Sequence, residues 1–147
     1  MDMIAKLRNK NIEVTELPDQ GLFLRRKWES TFACHLSEKE KKFLHLLDSD
    51  CYNGLLWHLF SYKKKECLER EEAEKAFYHE PKYACYVFFQ DSDDALLIEK
   101  AMKLHVRDLV HKKMALGMYI VDKEFTWTFV TTHEKDWCGP YFSRMEK

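Results

Sequence analysis

Apolar residues recur along this chain with two different periods, and the places where the period changes mark its elements. Residues 3–10 pattern as a short helix, and Ile12 to Leu17 alternate as a strand that Pro18 stops. From Leu22 the period becomes helical. Leu24, Trp28, Phe32 and Leu36 recur every fourth residue, which predicts Trp28 and Phe32 in the core and leaves Arg25, Arg26 and Glu29 facing water. Ser37 to Glu40 (SEKE) reads as a capping box, so a second helix is expected from Ser37 to near Asp48, carrying Phe43, Leu44, Leu46 and Leu47. Leu55 to Tyr62 (LLWHLFSY) is apolar on both parities apart from His58 and reads as a buried strand. A third helix is predicted over Glu69 to Tyr78, with Ala73, Ala76 and Phe77 inward and Pro81 beyond its end. Tyr83 to Gln90 (YACYVFFQ) is predicted to be a central strand covered on both sides; Ala95 to Lys100 reads as a strand pairing back across an acidic turn, with a helix up to Leu104 as the alternative. Residues 106–111 suit a short helix.

The most regular stretch is Gly117 to Glu134, which predicts a hairpin. With Lys123 and Glu124 at the turn, Leu116, Met118 and Ile120 oppose Thr131, Phe129 and Trp127 on an apolar face, while Tyr119 and Val121 oppose Thr128 and Thr126 on a threonine-rich face that suits a solvent-facing or lightly covered sheet surface. His133 shares its parity with Trp127 and Phe129, and Glu134 points the other way. That alternation argues against an adjacent His-Glu dyad acting on one atom and favours a histidine at the rim of the sheet.

The totals set outer bounds. The chain has 147 residues, of which 46% are hydrophobic, 14% aromatic and 33% charged, a composition that fits one globular domain over residues 1–147. Lys and Arg number 24 against 25 for Asp and Glu, so no global field favours nucleic acid or an anionic membrane. The basic runs Arg25 to Lys27 and Lys63 to Lys65 have acids close by in sequence and read as solvated faces. No apolar run approaches the length of a membrane span, the longest being Tyr83 to Phe89, and the N-terminus lacks the apolar core of a secretory signal. Five cysteines with no repeating spacing fit reduced thiols in a cytoplasmic protein.

Motif chemistry is sparse. No C-x2-C or H-E-x-x-H spacing offers a metal site, and four isolated glycines cannot build a phosphate loop, so neither metal nor cofactor is expected. No catalytic residue is assigned. Cys34 lies late in a helix, where the dipole disfavours a thiolate, and Cys138 has no base beside it in sequence. What remains is aromatic and polar clustering. Trp57, His58 and Tyr62 form one group, and His133, Glu134, Trp137, Tyr141 and Arg144 form another near the C-terminus; they are the candidate binding residues.

The segments LRRKWESTFACHLS, WHLFSYKKKECL and YIVDKEFTWTFVTTHE followed by GPYFSR together resemble a family of small bacterial proteins known only as a domain of unknown function, with members near this length. The resemblance spans almost the whole chain and implies a bacterial, cytosolic protein; it carries no established activity. The hairpin ending in Thr-His-Glu also looks like the closing hairpin of some bacterial immunity-type proteins, which neutralise toxins by binding them.

The pattern predicts an α+β fold: a mainly antiparallel sheet of about four to six strands with helices packed largely on one face. The leading functional expectation is a noncatalytic protein-binding module, immunity or antitoxin-like, with a protein partner and no nucleic-acid or membrane partner. The alternative is a small enzyme or ligand-binding protein with its site near the C-terminal hairpin, at His58, His133, Glu134, Tyr141 and Arg144. No motif sets an oligomeric state.

Overall fold

The computed structural model describes residues 3–46, 55–90, 92–109, 117–132 and 139–145. Its elements run α1 (Met3–Asn9), β1 (Glu13–Leu17), α2 (Gly21–Phe32), α3 (Glu38–Phe43), α4 (His58–Ser61), β2 (Leu68–Glu69), α5 (Arg70–His79), β3 (Ala84–Phe89), β4 (Ala95–Glu99), β5 (Gly117–Asp122), β6 (Trp127–Thr132) and β7 (Tyr141–Arg144). Two 3-10 turns, Ala101–Lys103 and Val106–Asp108, lie between β4 and β5. The strands form one antiparallel sheet in the order β1-β4-β3-β5-β6-β7-β2. The α+β class and the antiparallel sheet agree with the sequence pattern; the sheet is larger than expected, with seven strands among the described residues.

The helices also divide between the two faces of the sheet instead of gathering largely on one. Cys85, Val87 and Phe89 of β3, with Met118, Ile120, Trp127 and Phe129 of the hairpin, pack under Leu7 of α1 and Phe77 of α5. The alternate residues Phe88, Tyr119, Val121 and Val130 pack under Trp28 and Phe32 of α2 and Phe60 of α4. The physical reason is in β3 and β5 themselves. Strands apolar at successive positions expose grease on both sides and need two covers.

The local expectations divide. The Ser37 hydroxyl accepts the Glu40 N–H at 3.1 Å while the Glu40 carboxylate accepts the Ser37 N–H, completing the capping box. The helix it starts ends sooner than expected, at Phe43, with that ring exposed. Leu55 to Tyr62 is not a strand. Its core is the short helix α4, with Leu59 and Phe60 buried. A continuous apolar run has no period to separate strand from buried helix.

A long-range cap starts α2. Asp93, in the turn between β3 and β4, accepts the Gly21 N–H on its backbone carbonyl and the Leu22 N–H on its carboxylate, both at 2.7 Å. A Cβ at Gly21 would come within 2.9 Å of Asp93 backbone atoms, so the close approach requires glycine.

The hairpin keeps its predicted faces but not its register. Met118 pairs with Thr131, Tyr119 with Val130 and Ile120 with Phe129, two residues away from the expected pairing. A shift of two preserves which side chains share a face. The longer loop has a visible cause: Phe125 adopts a left-handed φ of 56° and turns its ring into the core, where it is 4% exposed. Asp122 braces the loop, its carboxylate accepting the N–H groups of Thr126 at 2.6 Å and Trp127 at 3.0 Å and the Thr126 hydroxyl at 2.5 Å. Asp122→Ala is expected to cost about 1 to 2 kcal/mol, the net worth of a few partly exposed hydrogen bonds, read as a lower urea midpoint with an unchanged slope.

The threonine-rich face is also covered. Thr128 is fully buried, accepting the Trp28 indole N–H at 2.8 Å and donating to the Ile120 carbonyl at 2.8 Å. Two charges expected in water are buried as well. Arg25 donates to the carbonyls of Phe89 at 3.3 Å and Gln90 at 2.6 Å, and Glu29 pairs with Lys41, joining α2 to α3. Each has found a partner distant in sequence, which is the condition for burying a charged side chain.

Candidate functional site

Of the candidate binding residues, Trp57, His58, Tyr62, Tyr141 and Arg144 are described, whereas His133, Glu134 and Trp137 lie outside the described residues. Trp57 is 3% exposed and donates its backbone N–H to the Tyr119 hydroxyl at 3.3 Å. His58 Nδ1 sits 2.7 Å from the Leu44 carbonyl oxygen, and its ring is held edgewise against Trp57 at 4.5 Å and Tyr62 at 5.1 Å. This is a histidine positioned by its surroundings to join α4 to the end of α3. Beneath it, the Tyr119 hydroxyl donates to the Gln90 side chain at 2.5 Å, and burial pushes the Tyr119 phenol well above the usual range, so it remains a donor.

Tyr141 and Arg144 do not converge. Tyr141 is buried against Phe60 at 5.4 Å on the α2 and α4 side of the sheet. Arg144 lies over the Phe142 ring at 5.4 Å and pairs with Glu80 at the end of α5, on the opposite side. Positions of odd separation on one strand face opposite ways, so no movement short of breaking the strand brings them together. Arg144 instead borders a surface hollow of about 610 Å³ beside β2, next to Cys67 and Ser143. Burial lifts the Cys67 thiol to about 11 and the Cys85 thiol to about 12, which removes both as thiolate nucleophiles near neutral pH. Among the described residues no group of three or more His, Cys, Asp or Glu side chains gathers as a metal site. Cys34, Cys67 and Cys85 are free thiols, and Cys51 and Cys138 lie outside the described residues.

An apolar concavity lies elsewhere among the described residues. α2 covers only part of its side of the sheet, and at the row where Thr15 pairs with Leu97 and Leu97 with Tyr86 the sheet surface emerges from under the helix. The result is an open cleft of about 430 Å³ floored by Leu17, Leu97 and Tyr86, closed by Phe125 and walled by Phe23 of α2. Phe23 is 62% exposed. Its charged groups are Glu16 and Lys27, and the Lys27 ammonium lies 4.6 Å from the centre of the Phe125 ring. Such a lining can bury an apolar side chain and orient it by the Lys27 charge; it contains no nucleophile paired with a base. The motif search missed the cleft because none of its residues forms a motif. One signal was available: Phe23 sits off the Leu24, Trp28 and Phe32 stripe, an aromatic on the side of α2 that the period assigns to water.

The molecule so defined is an α+β protein whose antiparallel sheet is sandwiched between helices, with an uncovered apolar corner. The chain belongs to the family described as Domain of unknown function (DUF4275), whose model matches residues 1–142. No curated protein and no solved structure matches it.

Proposed function

We propose that this chain is a noncatalytic protein-binding module that receives its partner in the cleft between α2 and the β1-β4-β3 end of the sheet. The observation that carries the reading is the exposed Phe23 beside an apolar floor of Leu17, Leu97 and Tyr86, open to a side chain from another molecule. The partner presents a large apolar side chain to that floor, with an acid toward Lys27. In its specific form the role is immunity or antitoxin-like, the partner being a toxin neutralised by being bound, as the resemblance of the hairpin implies. A bacterial cytoplasmic setting fits the free thiols Cys34, Cys67 and Cys85 and the lack, among the described residues, of a helix long and apolar enough to cross a membrane. The enzyme alternative loses support where Tyr141 and Arg144 face opposite sides of β7.

The test is affinity capture from the native host with wild-type protein and with Phe23→Asp, followed by measurement of the affinity for the captured partner. Phe23 is exposed, so the substitution is expected to leave the melting temperature within about 2 °C and to weaken binding by roughly tenfold or more, the loss of one hot-spot side chain. A stoichiometric partner bound equally by both proteins would place the interface elsewhere; turnover of a small molecule at wild-type rate by a hairpin-intact protein, with no partner, would replace the reading.

A further inference from the structure

A second surface, where β3 begins and β4 ends, concentrates the residue types that bind. Tyr78, Tyr83 and Met102 are 48%, 74% and 50% exposed. They come from three separate stretches of chain that the fold draws together: the Tyr83 carbonyl accepts the Ala101 N–H at 3.4 Å, and the Tyr78 ring lies 4.4 Å from the His105 ring. Lys82 fastens the end of α5 beneath them, its ammonium donating to the carbonyls of Phe77, Tyr78 and Glu80.

Cations surround this aromatic group. Lys6 and Lys10 reach across from α1 to the carbonyls of Arg107 and Lys103, at 3.3 Å and 3.4 Å. Three carboxylates of the region are engaged with cations: Asp108 with Lys10 at 2.6 Å, Glu13 with Lys100 at 2.9 Å and Glu80 with Arg144. Asp108 is only 3% exposed, so its charge is spent internally. Lys103 and Arg107 are exposed and make no ion pair with any described residue. Burial first, then the charges of Arg107 and Lys10, hold the His105 imidazole below its ordinary value.

We infer that Tyr78, Tyr83, Met102, Lys103 and Arg107 form a second docking surface, whose occupant is an acidic, apolar-containing segment of a protein. Tyrosine, methionine and arginine are the types enriched at protein interfaces, and unpaired cations beside exposed rings select carboxylates near apolar side chains. A nucleic acid fits less well. A phosphate track needs several aligned cations, whereas the net charge of the chain is -1 and the same helix α5 carries exposed Glu71, Glu72 and Glu74. The inference is independent of the cleft, since the two surfaces share no residue.

A library of random dodecapeptides displayed on phage, selected against wild-type protein and against the double variant Lys103→Glu with Arg107→Glu, tests it. Both positions are exposed, and matching thermal melts verify that the variant is folded. The expected result is enrichment of peptides combining Asp or Glu with aromatic or aliphatic residues, and at least tenfold weaker binding of those synthesised peptides to the double variant, with Phe23→Asp unaffected. Selected peptides without an acidic bias, peptides that bind the charge-reversed variant equally, or tighter saturable binding of a labelled mixed-sequence single-stranded DNA than of any selected peptide would each overturn it.

Discussion

Trp28→Ala is expected to be the most damaging single substitution, lowering the unfolding free energy by about 4 kcal/mol, the usual cost of truncating a buried tryptophan. Trp28 has no exposed surface and touches Phe32, Phe60 and Tyr119 at ring-centre distances of 5.2, 5.9 and 5.8 Å. It is where α2, α4 and the middle of the sheet meet, so a cavity there loosens three elements together. The indole also donates to the Thr128 hydroxyl, whose own proton goes to the Ile120 carbonyl. Trp28→Phe keeps a six-membered ring, loses that bond and the five-membered part of the indole, and is expected to cost about half as much. Denaturant titration followed by circular dichroism measures both, and the phenylalanine variant remains informative if the alanine variant does not fold. A cost below about 1 kcal/mol for the alanine variant would remove Trp28 from the centre of this packing.

Lys82→Met carries the second largest expected effect, a loss of about 3 kcal/mol and a fall in melting temperature of roughly 6 to 12 °C for a chain of this size. The Lys82 ammonium is 1% exposed at the level of the residue and its three protons go to three carbonyls at the end of α5, at 2.7, 3.1 and 3.0 Å. It also lies 4.8 Å from the centre of the Phe77 ring. Burial alone disfavours the charge and holds its pKa below the ordinary lysine range, so the carbonyls and the negative end of the helix dipole are what make a cation tolerable there. Methionine fills the space and satisfies none of those carbonyls. The loss should be seen first as faster amide exchange in the last turn of α5 and in the surface around Tyr78 and His105, read by hydrogen-exchange mass spectrometry. Uniform exchange with unchanged melting would mean that water replaces the ammonium at no cost.

The candidate site was legible only in part, and for reasons that differ residue by residue. His58 stood out as the one polar interruption of an apolar run, but its neighbour across space is the Leu44 carbonyl, which no local pattern reveals. Tyr141 and Arg144 lie three residues apart and look adjacent in a list of aromatic and basic residues; the pleat of β7 sends them to opposite faces. The cleft is assembled from β1, α2, β3, β4 and the hairpin loop, so its residues carry no shared spacing. The one signal in the chain was Phe23, an aromatic on the side of its helix assigned to water, and it was passed over.

Nearest-neighbour physics was enough for the rest. The four-residue stripe of α2, the capping box at Ser37, the buried strand β3 and the division of the hairpin into two faces are all set by backbone periods and by groups a few residues apart, so they are readable from the chain alone. Tertiary structure decided the register of the hairpin, through the burial of Phe125, and the helical form of Leu55 to Tyr62. It also decided the burial of Arg25 and Glu29, whose partners Gln90 and Lys41 come from other elements. Periodicity records which side of an element is apolar; only the assembled sheet determines what stands opposite that side, and whether a charge, a ring or open solvent meets it.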